Sequence, residues 1–141
     1  MVHAEAHIDW LLTDSRSLCF PETTLFFALS TKRNDGSKYI PDLYARGVRN
    51  FVVSKLPENK DEYPDSNFLV VSNPLKALQK LAELHRQKFQ VPVIGITGSN
   101  GKTIVKEWLH QLLSPERTIV RSPRSYNSQI GVPISVWQMN E

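Results

Sequence analysis

The stretch from Val93 to Thr103 constrains this chain more than any other, because it reads V-I-G-I-T-G-S-N-G-K-T. Apolar and β-branched residues at 93–97 are typical of a buried strand, and the glycines after them are typical of a tight turn. A helical pattern begins directly after the turn, at about Lys102. A strand, a glycine-rich turn and a helix N-terminus in this order let main-chain N–H groups converge on a phosphate. The sequence therefore predicts a nucleoside triphosphate site.

The residues of this turn have distinct expected roles. The ammonium of Lys102 would lie beside the β- and γ-phosphates, and the hydroxyl of Thr103 would bind Mg²⁺. Asn100 either contacts phosphate or adopts the left-handed conformation that asparagine tolerates. The phosphates of the nucleotide would be lined by Gly98, Ser99, Asn100 and Gly101.

The spacing departs from the common pattern G-x-x-x-x-G-K-[ST], because Ile96 stands where the first glycine would be. The turn is therefore either one residue longer and begins at Gly95, or tighter and begins at Gly98. The alternative to both is a structural glycine turn that is followed by Lys and Thr by chance.

The first part of the chain predicts a small α/β domain over residues 1–73. Short apolar segments bounded by turn residues predict strands at 8–12, 24–29, 51–53 and 68–71. Helical spacing from Tyr39 to Arg46 predicts a helix that Gly47 ends. The sequence Ser72-Asn73-Pro74 predicts the start of a long linking helix over 74–90.

The second part, residues 91–141, predicts a β-loop-α-β-α order. Strands are expected at 93–97 and 118–121, and helices at 102–113 and 129–139. The first of these helices would turn four apolar residues inward, namely Val105, Trp108, Leu109 and Leu112. This order is the opening of a doubly wound parallel sheet, and two strands do not complete such a sheet. We therefore expect an incomplete ATP-binding domain.

Composition limits the partners and the compartment. Lys and Arg number 17 and Asp and Glu 14, and the basic residues are scattered, which argues against nucleic acid as a partner. The one cysteine, Cys19, is expected to be buried, and no disulfide can form within the chain. The first residues lack the pattern of a signal peptide, and no apolar run approaches the roughly 20 residues that span a bilayer. We expect a cytoplasmic protein without a membrane partner.

Two further polar clusters are candidates for binding. Thr13-Asp14-Ser15-Arg16 follows an apolar strand and could hold an anion, or it could be an ordinary Asp–Arg surface pair. The segment Ser125–Pro133 follows the predicted strand at 118–121, at the sheet edge where the phosphate turn lies. Asn127 would then face the transferred phosphate or the second substrate, and the alternative is a polar turn.

Together these segments resemble the Mur ligase family over roughly residues 8–139. G-I-T-G-S-N-G-K-T looks like the ATP loop of the family. T-D-S-R, T-L-F-F-A-L, N-D-G-S-K-Y-I and A-R-G-V-R-N-F-V-V look like the domain that holds the UDP end of the substrate. Y-N-S-Q-I-G-V-P looks like a motif of the member that adds D-alanyl-D-alanine.

The resemblance implies an ATP- and Mg-dependent amide ligase of cell-wall precursor synthesis. UDP-N-acetylmuramoyl-tripeptide and D-alanyl-D-alanine would be joined through an acyl phosphate. Residue by residue, Lys102 and the amides of 98–101 would grip ATP, and Thr103 would bind Mg²⁺. Asn127 would lie near the reacting phosphate, with Ser128 beside it. Ser15 and Arg16 would contact the UDP end.

The chain departs from the family pattern at two positions. Ser37 stands where a histidine is common, and Ser128 stands where a second asparagine is usual. Family members have further downstream domains, so we expect a fragment that does not turn over, because catalysis needs all reacting groups in place.

Other functions stay open from the sequence. The chief alternative is a non-catalytic module that binds a UDP-sugar or nucleotide. A small phosphate-loop kinase is disfavoured because no lid-like arginine segment follows the loop. A folate or cyanophycin ligase is disfavoured by the D-S-R and L-F-F-A-L segments.

Overall fold

A computed structural model describes residues 6–30, 35–122 and 128–140. The chain divides into two compact units, residues 1–78 and 79–141. None of the described helices is both long and apolar enough to span a bilayer. The expected domain limits at 73, 74–90 and 91 stay predictions.

The first unit is built on a four-stranded sheet in which every neighbouring pair is parallel. The order across the sheet follows the chain, and the strands are β1 (Trp10–Leu12), β2 (Thr24–Phe27), β3 (Asn50–Val53) and β4 (Asn67–Val70). Helix α1 (Ile40–Ala45) lies in the connection from β2 to β3, as parallel neighbours require a crossover. The α/β class predicted from the sequence is confirmed.

The core of this unit lies along β2 and β3, whose residues are all buried. Phe51 is the centre of an aromatic row across three strands. Its ring meets Phe26 edge-on at 6.4 Å and stacks on Phe68 at 5.3 Å. Leu43 of α1 and Val48 after it are fully buried and close the same cluster. Strands this apolar are typical of parallel sheets, where both faces are covered.

Helix α1 ends as its sequence predicts. Gly47 has a φ of +98°, a conformation that glycine adopts without strain. Its N–H bonds to the Tyr44 carbonyl and the Val48 N–H bonds to the Leu43 carbonyl, each at 3.0 Å. This pair of bonds satisfies carbonyls that the end of a helix otherwise leaves without partners.

Two expectations for the first unit are wrong. The segment at 68–71 was expected to be a buried strand, but Leu69 and Val70 of β4 are 50% and 56% exposed. The reason is position, because β4 is an edge strand of the sheet. Cys19 is exposed, not buried.

Helix α2 (Pro74–Gln87) begins where the sequence predicts it. Asn73 accepts a hydrogen bond from the Lys76 N–H at 3.0 Å and so caps the helix. On one face of this helix, Leu78 is fully buried and Ala82 nearly so.

The second unit contains α3 (Lys102–Leu113) and α4 (Gly131–Trp137). The strands expected at 93–97 and 118–121 are absent, since the described residues there join no ladder. Val93 and Ile94 are 67% and 63% exposed. A parallel strand is held by hydrogen bonds to its neighbours, so apolar composition alone does not form one.

The inward face predicted for α3 is also wrong in the described structure. Trp108 and Leu112 are 67% and 74% exposed, Val105 is 41% exposed, and no residue of this helix is buried. The helix itself forms because its local signals are sufficient, but nothing described in this unit covers its apolar face.

Candidate functional site

The predicted phosphate turn has the backbone of a tight loop that leads into a helix. Gly98 and Gly101 have φ angles of +142° and +76°, and Gly101 is the residue directly before α3. Gly95 has no such angle. The turn therefore runs from Gly98 to Gly101, which is the tighter of the two spacings. Among the described residues, Asp65 is the one non-glycine residue with positive φ, so the left-handed conformation considered for Asn100 is wrong.

The ammonium of Lys102 contacts the main chain of the turn. Its Nζ donates hydrogen bonds to the main-chain carbonyls of Gly98 and Ser99. Thr103 follows at the second position of α3 and is exposed. The first turn of a helix carries N–H groups without helical partners and the positive end of the helix dipole. The turn thus combines a cation, a hydroxyl and main-chain donors at one helix end.

A polar cluster ties α3 to the segment that follows it. Arg121 donates to both carboxylate oxygens of Glu107, at 2.5 and 2.6 Å. Lys106 donates to the Ser122 carbonyl at 2.8 Å. The hydrogen bond from Lys106 lowers the pKa of Glu107, and the charge of Arg121 lowers that pKa further. Sequence reasoning missed this cluster, because no motif joins residues 14 positions apart.

The predicted binding segment Ser125–Pro133 is only partly described by the structure. Ser125 and Asn127 lie outside the described residues. The Ser128 hydroxyl oxygen accepts the Gly131 N–H at 2.9 Å, so it satisfies a main-chain donor in the turn that leads into α4. A role for Ser128 in substrate binding stays a prediction.

The first unit contains a separate cavity of about 420 Å³, and its wall is formed by Thr13, Asp14, Ser15, Arg16 and Tyr39. The volume lies within the range of small-molecule sites. Four of these residues are the T-D-S-R cluster, and Ser15–Ser17 is a single 3₁₀ turn with Asp14 as its cap.

Asp14 and Arg16 form a two-point ion pair beside this cavity. Arg16 donates from Nε at 2.9 Å and from Nη2 at 2.7 Å, and its main-chain N–H also bonds to Asp14 at 3.1 Å. The side-chain hydrogen bond from Arg16, and then its main-chain bond, lower the pKa of Asp14. The Asp–Arg surface pair considered from the sequence is thus present, and a cavity is present with it. The pair holds the guanidinium in one orientation without using its Nη1.

Tyr39 is the cavity residue that the sequence did not predict. It ends a 3₁₀ turn over Gly36–Tyr39, which Asp35 caps by accepting the Ser37 N–H at 3.0 Å. This bond is the largest cause of the lowered pKa of Asp35. Gly36 donates its N–H to the Leu29 carbonyl at 3.0 Å, which holds the turn against the end of β2. The available signal was the D-G-S turn, which is followed by an aromatic residue.

The chain is similar to known proteins over nearly its whole length. No family model matches the chain. The chain is 32% identical over 134 residues to UDP-N-acetylmuramoyl-tripeptide–D-alanyl-D-alanine ligase of Bacillus subtilis, an alignment that covers 95% of the chain and 28% of that enzyme. Among solved structures, the corresponding ligase of Acinetobacter baumannii gives a TM-score of 0.82 at 29% identity, over 94% of the chain and 28% of that protein.

A second solved structure adds a ligand. It is a MurF ligase from Thermotoga maritima in complex with ADP, with a TM-score of 0.75 at 27% identity, over 94% of this chain and 29% of that protein. Over nearly all of its length, the chain is similar to members of the Mur ligase family. The relatives from Bacillus subtilis and Acinetobacter baumannii carry D-alanyl-D-alanine or D-alanyl-D-alanyl in their names, and the chain spans a little over a quarter of the length of each relative reported above.

Proposed function

We propose that this chain carries two ligand-binding parts of an ATP-dependent amide ligase of peptidoglycan precursor synthesis. The substrates would be ATP, UDP-N-acetylmuramoyl-tripeptide and D-alanyl-D-alanine, as the names of the relatives suggest. The observation that carries this proposal is the turn from Gly98 to Lys102, where two left-handed glycines and a lysine ammonium meet a helix N-terminus.

The turn can accept a triphosphate. A Cβ at Gly101 would meet nothing within 4 Å, and one at Gly98 would meet only the Asn100 carbonyl at 3.7 Å, so phosphate can approach the bare main chain. Lys102 would exchange its contacts with the Gly98 and Ser99 carbonyls for phosphate oxygens. The N–H groups at the start of α3 would bind the same anion.

The residues also fit a magnesium ion that arrives with the nucleotide. Mg²⁺ is commonly held by one or two protein groups together with phosphate oxygens and water. The Thr103 hydroxyl can be such a group, and no cluster of three acidic, His or Cys side chains exists among the described residues. When bound, the ion neutralises charge on the phosphates.

The UDP end would bind at the cavity of the first unit. Ser15 and the guanidinium of Arg16 offer donors to the diphosphate, and the Tyr39 ring offers a flat wall. On this reading residues 1–73 are the UDP-substrate domain, 74–90 the linking segment that contains α2, and 91–141 the start of the ATP-binding domain.

In the proposed reaction, the γ-phosphoryl group passes to the carboxylate of the tripeptide. The amine of D-alanyl-D-alanine then attacks the acyl carbon, and phosphate leaves. Lys102 would stabilise the negative charge on the phosphoryl oxygens. Asn127 would lie near the same oxygens.

Binding to the 141-residue chain tests the proposal. Lys102→Ala should weaken ATP–Mg binding by about tenfold or more, because a charged hydrogen bond to phosphate is lost. The affinity for UDP should stay within a few-fold, and Lys80→Ala on the exposed face of α2 should change neither. Equal ATP affinity in the wild type and Lys102→Ala would refute the assignment of the turn.

A second candidate function is a non-catalytic module that binds a UDP-sugar. A difference between the two units favours it. The cavity lies in the first unit, which has a four-stranded sheet, while residues 93–97 and 118–121 of the second unit form no strands. Binding of UDP by the chain, without any binding of ATP–Mg, would support this alternative over the ligase.

A further inference from the structure

A hydrogen bond joins the end of α1 to the T-D-S-R turn. Arg46, the residue directly after α1, donates from Nη1 to the main-chain carbonyl of Ser15 at 2.8 Å, across 31 positions of sequence. The same nitrogen lies 3.3 Å from Asp42 Oδ2, one helical turn back. Arg46 does not line the cavity.

The Ser15 carbonyl gains from this bond because the turn that contains it is short. The 3₁₀ turn has three residues, and it is closed by the bond from the Ser17 N–H to the Asp14 carbonyl at 3.0 Å. In so short a turn, the carbonyl groups receive no hydrogen bond from a following helical turn. Arg46 donates a hydrogen bond to the carbonyl of Ser15, which is a predicted ligand-binding residue.

Helix α1 therefore acts on the cavity from both of its ends. Tyr39, the residue directly before the helix, forms part of the cavity wall, and Arg46, directly after it, holds the turn that forms the rest. A six-residue helix is only about 9 Å long and is stiff over that length. The distance between Tyr39 in the cavity wall and the T-D-S-R turn is thus set by one rigid helix, α1.

We propose that Arg46 is a positioning residue for the anion-binding turn, and that it acts through the Ser15 carbonyl on the diphosphate part of a nucleoside diphosphate. This inference rests on the proposed UDP site. Arg46 would not touch the ligand. It would keep Ser15 and Arg16 in the position from which both reach the phosphates. Its loss would therefore weaken binding of the diphosphate and not binding of the nucleoside.

The test compares UDP with uridine, each titrated into the 141-residue chain and followed by NMR, which measures millimolar affinities. Arg46→Met keeps the apolar stem and removes both hydrogen bonds. We expect UDP to bind about fivefold more weakly, the value of one hydrogen bond, and uridine to bind within twofold of the wild type. Arg46→Lys should recover part of the loss. Asp42→Asn, which breaks the ion pair but leaves the Ser15 bond, should bind UDP as the wild type does.

The outcomes separate the two proposals. Unchanged UDP affinity in Arg46→Met, or an equal loss for UDP and uridine, overturns the positioning role and leaves the UDP site standing. Absence of UDP binding in the wild-type chain overturns the proposed site and the positioning role together.

Discussion

Asp14 accepts side-chain hydrogen bonds from both Nε and Nη2 of Arg16, two residues further along, the shortest from each being 2.9 Å and 2.7 Å. The side chains are 45% and 87% exposed, so water screens the pair and its contribution to stability is small. Its effect is one of geometry, since it sets the guanidinium beside the cavity before any ligand binds.

This pair predicts a specific titration. The bonds from Arg16 hold the pKa of Asp14 below its ordinary value of 3.8, and in Arg16→Gln we expect that pKa to rise toward the ordinary value. NMR titration of the Asp14 carboxyl carbon measures this pKa in the wild type and in the variant. The pKa of Asp35, lowered by Ser37 and Ser30 instead, serves as the internal control and should not move.

The sign of the pH dependence follows from the depressed pKa. A carboxylate whose pKa is lower in the folded state stabilises the fold above the unfolded pKa, and this stabilisation is lost as pH falls through the folded pKa. The difference in Tm between the wild type and Arg16→Gln should therefore be present at neutral pH and should decline as pH falls below about 4, toward the lowered pKa of Asp14 in the folded state. A difference that persists at pH 2 would contradict this account.

Gly36→Ala should destabilise the first unit. A Cβ there would lie 2.6 Å from both the N and the O of Leu29 and 2.8 Å from the Ala28 carbonyl carbon, all of them main-chain atoms that cannot swing away. We expect a loss of about 1–3 kcal/mol in the free energy of unfolding, the usual cost of overpacking, measured by urea denaturation.

Gly95→Ala is the matched control for this substitution. Its Cβ would meet nothing within 4 Å and its φ is not left-handed, so we expect a change within about 0.5 kcal/mol. Equal stabilities for the two variants would mean that the turn at Gly36 can move away from β2.

Asn50 and Asn67 lie opposite one another in neighbouring strands, and the Asn67 Nδ2 donates to Asn50 Oδ1 at 2.9 Å. Asn50 is only 4% exposed. Asn67→Ala removes this donor from a buried acceptor, and we expect a loss of about 1–3 kcal/mol in unfolding free energy.

A double-mutant cycle isolates the contribution of this pair. In an Asn50→Ala background the acceptor is gone, so Asn67→Ala should cost clearly less. Equal costs in both backgrounds would show that the effect of Asn67 arises elsewhere.

The apolar face of α3 predicts self-association. Trp108 and Leu112 are more than two-thirds exposed, and Ile104 on the same side is 56% exposed. Contiguous apolar surface of this kind drives association, so sedimentation of the chain should depend on concentration. Leu112→Glu should reduce that dependence, whereas Leu84→Glu, at an isolated exposed position on α2, should have little effect. Sedimentation as a monomer at all concentrations would contradict the prediction.

Local signals in the sequence predicted most of the elements. The apolar segments at 24–29 and 51–53 predicted β2 and β3, the Asn73-Pro74 pair predicted the start of α2, and Gly47 predicted the end of α1. These features depend on side-chain period, capping and glycine conformation, which act within a few residues. The α/β class followed from them, whereas the resemblance to the Mur ligase family rested on motifs such as G-I-T-G-S-N-G-K-T and T-D-S-R.

The candidate sites divide in the same way. The turn at Gly98–Lys102 could be recognised because its residues are consecutive. Tyr39 beside Ser15, Arg46 bonded to Ser15, and Arg121 bonded to Glu107 could not, because each contact joins residues from 14 to 31 positions apart or lies in a cavity.

By itself, the sequence determined where α2 begins, that α1 ends at Gly47 and where a lysine meets a helix N-terminus, because those outcomes are decided by neighbours in the chain. Only the tertiary structure decided which apolar segments became strands, since residues 93–97 are as apolar as β2 but have no ladder partner. The tertiary structure also decided which side chains surround the T-D-S-R turn, because packing brings together residues that the chain keeps apart.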